Sequence, residues 1–304
     1  GNLLTSLDVS NNTGLEYLLY YSNQITALDL QNNTALTSLN CNNNSLTALE
    51  VSHLVYLTSL SCDNNQLKEL DVSKNTKLDC LGCSLNQLTK LDVSKNTVLI
   101  DLYCMGNQLS VLDVSNQPLL EHLTCNGNQL TKLDISKNPK LDTVNCSENQ
   151  LSSLNLSSNL LLTNLECGFN QLTGLDVSKN AVLKSLSCVK NQLTVLDVSS
   201  NTALCYLDCG SNKITSLDVS SNPKLLALAF SGNQLTEIDV SKNTVLEQIN
   251  CSNNQLTSLD LSRNPNCNDV NAARNVRQIT LDDQNAFDLS TLPGFDISKA
   301  SKWT

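Results

Sequence analysis

The sequence predicts a solenoid of about thirteen 21-residue coils in which one short strand per coil joins a parallel sheet. Leucine recurs every 21 residues from Leu15 to Leu246. Asparagine occupies the ninth place of the unit in all thirteen copies, from Asn23 to Asn275. No segment of 10 to 12 residues has helical spacing, so few or no helices are expected. A fixed period of this length is typical of stacked repeats, whose apolar sides are buried only by their neighbours.

The repeat unit explains each element of this prediction. With Leu15 as position 1, the unit reads L-x-x-L-x-C-x-x-N-x-L-x-x-L-D-V-S-x-N-x-x. Apolar residues at positions 4 and 6 alternate with polar residues at positions 3, 5 and 7, which is the period of a half-buried strand. The segment L-D-V-S at positions 14 to 17 alternates in the same way and predicts a second strand-like segment on the opposite side of the coil.

The asparagine column at position 9 has a structural explanation. A sharp turn leaves inward-pointing backbone groups that must be paired when buried. A primary amide offers two donors and an acceptor, so one asparagine per coil can satisfy its own turn and its neighbour's. A second column, at position 19, is asparagine in eleven of thirteen copies, with Leu54 and Gln117 as exceptions. No ligand is assigned to either column.

Composition excludes several classes of protein. A net charge of −10 and a pI near 4.6 argue against a nucleic-acid binder, which needs a basic surface for phosphates. Apolar runs are only a few residues long, so no membrane insertion is expected in this segment. No charged-then-apolar leader opens the chain at Gly1, so a secretion signal is absent or was removed. Thirteen cysteines cannot all pair within one chain.

The motif L-x-x-L-x-[LC]-x-x-N-x-L, from residue 4 to about 275, resembles the leucine-rich repeat signature. The unit LTKLDVSKNTVLIDLYCMGNQ at 88–108 is similar to the repeats of the cysteine-ladder internalins. This resemblance implies a right-handed solenoid with a parallel concave sheet, in the β/α superhelix class. It also implies an extracellular or bacterial cell-surface protein that adheres to a host or matrix protein through that sheet.

The ends of the chain are interpreted separately. Residues 1–275 form the predicted solenoid, and 276–304 a C-terminal capping segment in which the register is lost and Phe287, Phe295 and Trp303 are expected to cover the open core. The stretch at 287–303 is similar to segments that follow such repeats in surface proteins of gut bacteria. Because the chain enters mid-repeat at Leu4 and shows no immunoglobulin-like module or wall anchor, we interpret it as a repeat domain excised from a longer protein.

Ten cysteines occupy position 6: Cys41, Cys62, Cys83, Cys104, Cys125, Cys146, Cys167, Cys188, Cys209 and Cys251. Tyr20, Phe230 and Ala272 replace them in the other copies, so the position favours an apolar filler over a ligand. Parallel Cβ atoms about 4.8 Å apart disfavour disulfides, which need roughly 3.8 Å. Cys80 and Cys83 form a C-x-x-C, but alternation should point their sulfurs to opposite faces, with no further ligands for zinc. No cofactor or metal is expected.

Position 15 is acidic in twelve copies and neutral only at Asn155. Two interpretations stand side by side: a solvated or hydrogen-bonded structural row, and a calcium-binding row. The second is weaker because one carboxylate per coil supplies too few of the six to eight oxygens that calcium needs.

In a repeat protein the variable positions on one face can encode recognition, and here the outward positions of the strand are 3, 5 and 7. The larger side chains at these positions are the candidate partner-binding residues: Tyr17, Tyr21, Asp63, Asp101, Tyr103, Met105, His122, Glu166 and Tyr206. Tyrosine brings a large contact area and a polar tip at low entropic cost. We expect the site to centre on Asp101, Tyr103 and His122. The alternative is a solvent face whose variation is merely tolerated.

The predicted function is non-enzymatic binding of a protein partner by a monomer. No catalytic residue is predicted, because the two histidines, His53 and His122, lie three coils apart on different faces. A glycan-binding module and a structural spacer of a larger surface protein remain as alternatives. Tyr103 and Tyr206 are the candidate sugar platforms, but at five coils, roughly 24 Å, they are too far apart for one short sugar. A threonine row at position 12 is the one feature that favours an ice- or surface-binding solenoid.

Overall fold

The computed structural model describes residues 2–275, and in this range the chain forms a solenoid with one parallel sheet. Thirteen three-residue strands pair in chain order. They are β1 Tyr17–Leu19, β2 Ser38–Asn40, β3 Ser59–Ser61, β4 Cys80–Gly82, β5 Asp101–Tyr103, β6 His122–Thr124, β7 Thr143–Asn145, β8 Asn164–Glu166, β9 Ser185–Ser187, β10 Tyr206–Asp208, β11 Ala227–Ala229, β12 Gln248–Asn250 and β13 Asp269–Asn271. Residues 2–275 contain no helix. The predicted solenoid is confirmed.

The register of the sheet follows directly from the repeat. Each strand residue pairs with the residue 21 positions further on, as Leu102 of β5 pairs with Leu123 of β6. The backbone bonds continue past the strands, where Cys83 N–H donates to the carbonyl of Tyr103 over 2.8 Å. Because every coil has the same length, each position forms a continuous row along the solenoid.

The core consists of these inward rows. Leucines at positions 1, 4 and 11, the cysteines at position 6 and the aliphatic residues at position 16 form a single buried cluster. Burying one leucine stabilises the fold by about 1.5–3 kcal/mol. Each row needs a neighbour on both sides, and Val270 on the last strand is 44% exposed. The predicted capping segment at 276–304 lies outside the described residues.

The prediction of a second strand at positions 14 to 17 is wrong. In all thirteen coils the side-chain oxygen at position 15 accepts the N–H of position 17, as Asp92 accepts from Ser94 over 2.8 Å. This Asx-type turn bends the chain locally, and no backbone ladder joins adjacent coils here. Asn155 makes the same bond to Ser157 over 3.0 Å. The acidic row is therefore a hydrogen-bonded structural row.

The position-9 asparagines join adjacent coils as predicted. Asn128 Nδ2 donates to the carbonyls of Cys125 in its own coil and Cys104 in the preceding coil, both over 3.0 Å. Its Oδ1 accepts the N–H of Leu109 in the preceding coil over 3.0 Å. One buried amide thus satisfies backbone groups of two turns, which explains why no other residue type occurs in this column.

A second row of amides, at position 19, closes the opposite turn. In each coil that has a predecessor among the described residues, a side chain donates to the position-16 carbonyl of that predecessor, as Asn138 Nδ2 does to Val114 over 2.8 Å. Gln117 keeps this bond, to Val93 over 2.7 Å. Where Leu54 replaces the amide, the bond comes from His53, whose Nε2 lies 2.9 Å from the Leu30 carbonyl.

Position 8 has a left-handed backbone in every coil, with φ between 53° and 68°. Only Gly106, Gly127 and Gly232 are glycines; the other ten copies carry a side chain, as Leu85, Glu148 and Lys190 illustrate. A left-handed conformation costs a non-glycine residue roughly 1–2 kcal/mol. The hydrogen-bonded asparagine that follows, at position 9, holds this turn in place.

Candidate functional site

The concave face is defined here as the side chains at positions 3, 5 and 7 of each coil. Positions 3 and 5 are the first and third residues of each strand, and position 7 lies two residues after the strand. The middle residue of each strand points into the core and is buried in β1 to β12, so the neighbours on either side point outward. All nine predicted partner-binding residues lie on this face.

Three of those nine residues form one contact cluster on β5 and β6. Asp101 and His122 are register partners on these strands, and Asp101 Oδ1 lies 2.6 Å from His122 Nδ1. Tyr103 Oη donates to the same Asp101 oxygen over 3.4 Å. Partial burial, reinforced by the Asp101 carboxylate, raises the pKa of Tyr103, so its hydroxyl remains a donor at neutral pH. Asp101 therefore orients both larger side chains.

A second group lies beside this cluster, on β3 and β4. Asp63 Oδ1 accepts the N–H of Ser84 over 2.7 Å, and its carboxylate lies over Gly82. A Cβ atom at Gly82 would approach Asp63 Oδ2 to 2.8 Å, so the absence of a side chain there makes room for the carboxylate. Burial raises the pKa of Asp63. The Asp63 carboxylate is thus a partly desolvated acceptor that lies low on the concave face, against the backbone of β4.

Cys80 pairs with Asp101 in the sheet register and is partly exposed on the concave face, whereas Cys83 is buried in the ladder. The prediction that the two sulfurs of the C-x-x-C point to opposite faces is confirmed. Burial raises the pKa of the Cys80 thiol, and the neighbouring Asp101 carboxylate raises it further. Cys80 is therefore a poor nucleophile at neutral pH.

The other predicted residues are dispersed along the solenoid. Tyr17 and Tyr21 flank Leu19 on the first coil, and the three are 66%, 50% and 63% exposed. Met105 is half-buried two residues after β5. Glu166 Oε2 accepts from Asn145 Nδ2 over 2.7 Å on the adjacent strand.

Tyr206, the last of the nine, lies in a groove that the sequence analysis did not predict. The groove has a volume of about 440 Å³ and spans β9 to β13. Its outward lining is Ser185, Ser187, Tyr206, Asp208, Ala227, Ala229, Gln248, Asn250, Asp269 and Asn271. The small side chains on β9 and β11 form its floor. The sequence feature that could have predicted this groove is the set of small residues at positions 3 and 5 of these coils.

The cysteine ladder contributes no chemistry to the concave face. All thirteen cysteines are free thiols in the structure, and the ten at position 6 are fully buried. Burial raises the pKa of Cys41 and of Cys146 to about 12. No three His, Cys, Asp or Glu side chains within residues 2–275 are grouped closely enough to hold a metal ion. The same residues include no helix long and apolar enough to cross a membrane.

Known structures resemble this solenoid closely. The functional domain of InlJ from Listeria monocytogenes, which includes a cysteine ladder, is 39% identical, with a TM-score of 0.79 over 85% of this chain and 63% of that one. The internalin inlF of the same organism is 23% identical, with a TM-score of 0.83 over 88% and 84% of the two chains. A leucine-rich repeat protein of Leptospira interrogans is 25% identical, with a TM-score of 0.73 over 90% and 82%.

The chain spans just under two thirds of the InlJ structure. No family model and no curated protein matches the sequence. The 21-residue coils, the parallel concave sheet, the buried position-6 thiols and the likeness to InlJ agree with one another. This chain is a leucine-rich repeat solenoid with a cysteine ladder, and it is similar to the internalins InlJ and inlF.

Proposed function

We propose that this chain is the recognition domain of a secreted or surface-attached bacterial protein and that it binds a protein partner through the concave face. The observation that carries the proposal is the contrast between the inward rows and the concave rows in residue type and exposure. Inward rows repeat one residue type and are buried, whereas the concave rows vary from coil to coil and are accessible at most of their positions. A surface that varies on a constant scaffold is suited to recognition.

The cluster of Asp101, Tyr103 and His122 supports a binding site at the middle of this face. Its side chains come from neighbouring strands and are oriented by hydrogen bonds before any partner arrives. Pre-oriented side chains lose less conformational entropy on binding than free ones. Tyr103 is 36% exposed, so its ring combines a fixed position with accessible area.

The non-enzymatic part of the proposal rests on the order of residues across the strands. Cys80, Asp101 and His122 occupy register-paired positions on β4, β5 and β6, so the aspartate separates the thiol from the imidazole. Two strand spacings place Cys80 and His122 about 9.6 Å apart at the backbone. A thiol with a raised pKa and no imidazole within reach is not an activated nucleophile.

Partner capture tests the proposal. The protein is immobilised beside an Asp101→Ala/Tyr103→Ala/His122→Ala variant and exposed to mucus and epithelial extract. We expect a protein partner that the parent retains and the variant loses. Equal retention by both proteins would contradict a site at this cluster. Retention of nothing would favour the spacer alternative, and retention abolished by glycosidase treatment of the extract would favour the glycan-binding alternative.

Cys80 provides a second test that leaves the cluster intact. A bulky maleimide attached to Cys80 would stand directly beside Asp101 on the concave face. The labelled parent should lose the captured partner, while a Cys80→Ser variant treated with the same reagent should keep it. If both the labelled parent and the treated Cys80→Ser variant lose the partner, the label that blocks binding is on another cysteine, and the assignment of the site to the surface beside Cys80 is contradicted.

A further inference from the structure

Charge is distributed unevenly around the coil. Positions 3, 5 and 7 of the thirteen coils hold no lysine or arginine. They hold five carboxylates and one histidine: Asp63, Asp101, Glu166, Asp208, Asp269 and His122. The histidine is already bound by Asp101. The whole concave sheet face is therefore electronegative, and a partner that covers it must bring compensating positive charge.

The carboxyl-terminal half of this face also has the shape of a docking groove. The β9 to β13 groove has a floor of serine and alanine side chains, and the Tyr206 ring, 52% exposed, projects from β10 between the β9 serines and the β11 alanines. Asp208 Oδ1 accepts the N–H of Gly210 over 3.0 Å, which fixes the carboxylate on β10. Asp269 lies on β13 and makes no side-chain hydrogen bond within the described part of the chain.

The distance between the two carboxylates defines the segment that fits. Asp208 is the third residue of β10 and Asp269 the first residue of β13, so they lie three strands apart across the sheet and two residues apart along it, about 16 Å at the backbone. One ammonium group cannot contact both. An extended chain rises about 3.4 Å per residue, so side chains four residues apart are about 14 Å apart and point to the same side. Lysine and arginine side chains are long enough to cover the small remaining distance to the two carboxylates.

We propose that the β9 to β13 groove binds an extended segment of the protein partner that carries lysine or arginine at positions i and i+4. The segment lies diagonally across the strands, with one cation at Asp208 and the other at Asp269. The Tyr206 ring provides an aromatic face for the first cation. This inference rests on the proposed function, because it takes a protein as the occupant of the concave face.

The probe for the test is a nine-residue, fluorescein-labelled peptide of serine, glycine and threonine with two lysines four residues apart. Two matched peptides have adjacent lysines or two acetylated lysines. Binding to the full chain is followed by fluorescence anisotropy at about 20 mM ionic strength, where screening is weak. We expect the i, i+4 peptide to bind at least fivefold more tightly than the adjacent-lysine peptide, and the acetylated peptide not to bind.

Variants of the protein separate the groove from general charge attraction. Asp208→Asn/Asp269→Asn should weaken binding of the i, i+4 peptide at least tenfold. Asp218→Asn/Asp239→Asn changes the net charge equally in the position-15 row, outside the concave face, and should leave the affinity within twofold. Tyr206→Ala should weaken binding about threefold or more, and Tyr206→Phe should not.

Equal affinity for the two dilysine peptides, equal loss in both double variants, or no binding to the parent would each overturn the inference. Its failure is distinguishable from failure of the proposed function. If a partner is captured and lost in the Asp101/Tyr103/His122 variant but retained by the Asp208/Asp269 variant, only the groove assignment is wrong. If no partner is captured while the peptide binds as described, the proposed function is wrong and the affinity of the groove for a dibasic segment stands.

Discussion

His53 Nε2 lies 2.9 Å from the carbonyl oxygen of Leu30, and this contact replaces a hydrogen bond that an asparagine makes in neighbouring coils. A carbonyl oxygen only accepts, so the Nε2 atom carries the proton. The next residue, Leu54, occupies the position-19 site and is fully buried there. The histidine and the leucine together replace one buried amide.

Removing the imidazole should therefore destabilise the solenoid locally. His53→Ala removes the side-chain donor of the Leu30 carbonyl, which keeps the Asn33 N–H as its partner, and should lower the free energy of unfolding by about 0.5–1.5 kcal/mol. Adding Leu54→Asn to that variant restores the amide found in other coils and should recover much of the loss. Urea denaturation followed by circular dichroism measures both. His122→Ala is the control, and a His53→Ala protein as stable as the parent would contradict this role.

The left-handed position 8 predicts a stabilising substitution. Glu148 is exposed and has a φ of 54°. Glu148→Gly removes the steric cost of that conformation, partly offset by the greater entropy of glycine in the unfolded chain, for a net gain of up to about 1 kcal/mol. Glu237→Gly, at an exposed position without positive φ, should be neutral or destabilising. Equal urea midpoints for the two variants would argue against strain at position 8.

Burial of the cysteine ladder predicts that the ladder thiols react more slowly than the thiols outside it. At pH 8, the raised pKa and zero exposure of the ten ladder thiols should make their reaction with an aromatic disulfide reagent slow. Only the three partly exposed thiols outside the ladder, Cys80, Cys205 and Cys267, should react early. Denatured, unreduced protein should yield thirteen thiols. Fewer would reveal disulfides, and an early phase of more than three would mean that the ladder is accessible.

The position-15 carboxylates predict a loss of stability in acid. Hydrogen bonds from the side chain and the backbone N–H of the position-17 serine lower the pKa of eleven of them, Asp134 and Asp176 among them. A lowered pKa in the folded state contributes stability that is present above the ordinary carboxyl pKa, near 4, and is lost as pH falls through the folded value. The urea midpoint should fall steeply below about pH 4.

Asn155 provides the matched control for that pH dependence. Its amide oxygen makes the same bond without a charge. Asp134→Asn/Asp176→Asn, in the two flanking coils, should keep the stability at neutral pH and make the decline in acid less steep. An unchanged acid profile would mean that other groups cause the decline.

The sequence indicated most of the scaffold because its period places each residue type in one physical environment. Position 9 admits only asparagine because the turn needs donors and an acceptor at one point, and Asn128 shows both in use. Position 6 accepts cysteine or Phe230 because it needs only an apolar filler. Of the nine candidate binding residues, the structure brings three into direct contact, Asp101, Tyr103 and His122.

Other features depend on neighbours that a single repeat does not reveal. The alternation in L-D-V-S looks like a strand, but the Asp92 bond to Ser94 satisfies the backbone locally and no ladder forms. The replacement at Leu54 depends on His53 reaching the preceding coil. The groove around Tyr206 exists because the small side chains of β9 and β11, which come from coils two repeats apart in sequence, lie on either side of β10.

By itself, the sequence determined the coil length, the parallel register, the buried rows and the side of each coil that faces outward, because all of these follow from a strict 21-residue period. Only the tertiary structure decided which outward side chains meet. Asp101 binds His122, Asp63 lies over Gly82, and Asp208 and Asp269 share a groove. Contacts of this kind depend on rotamers and on the volumes of side chains in adjacent coils, and periodicity carries no information about either.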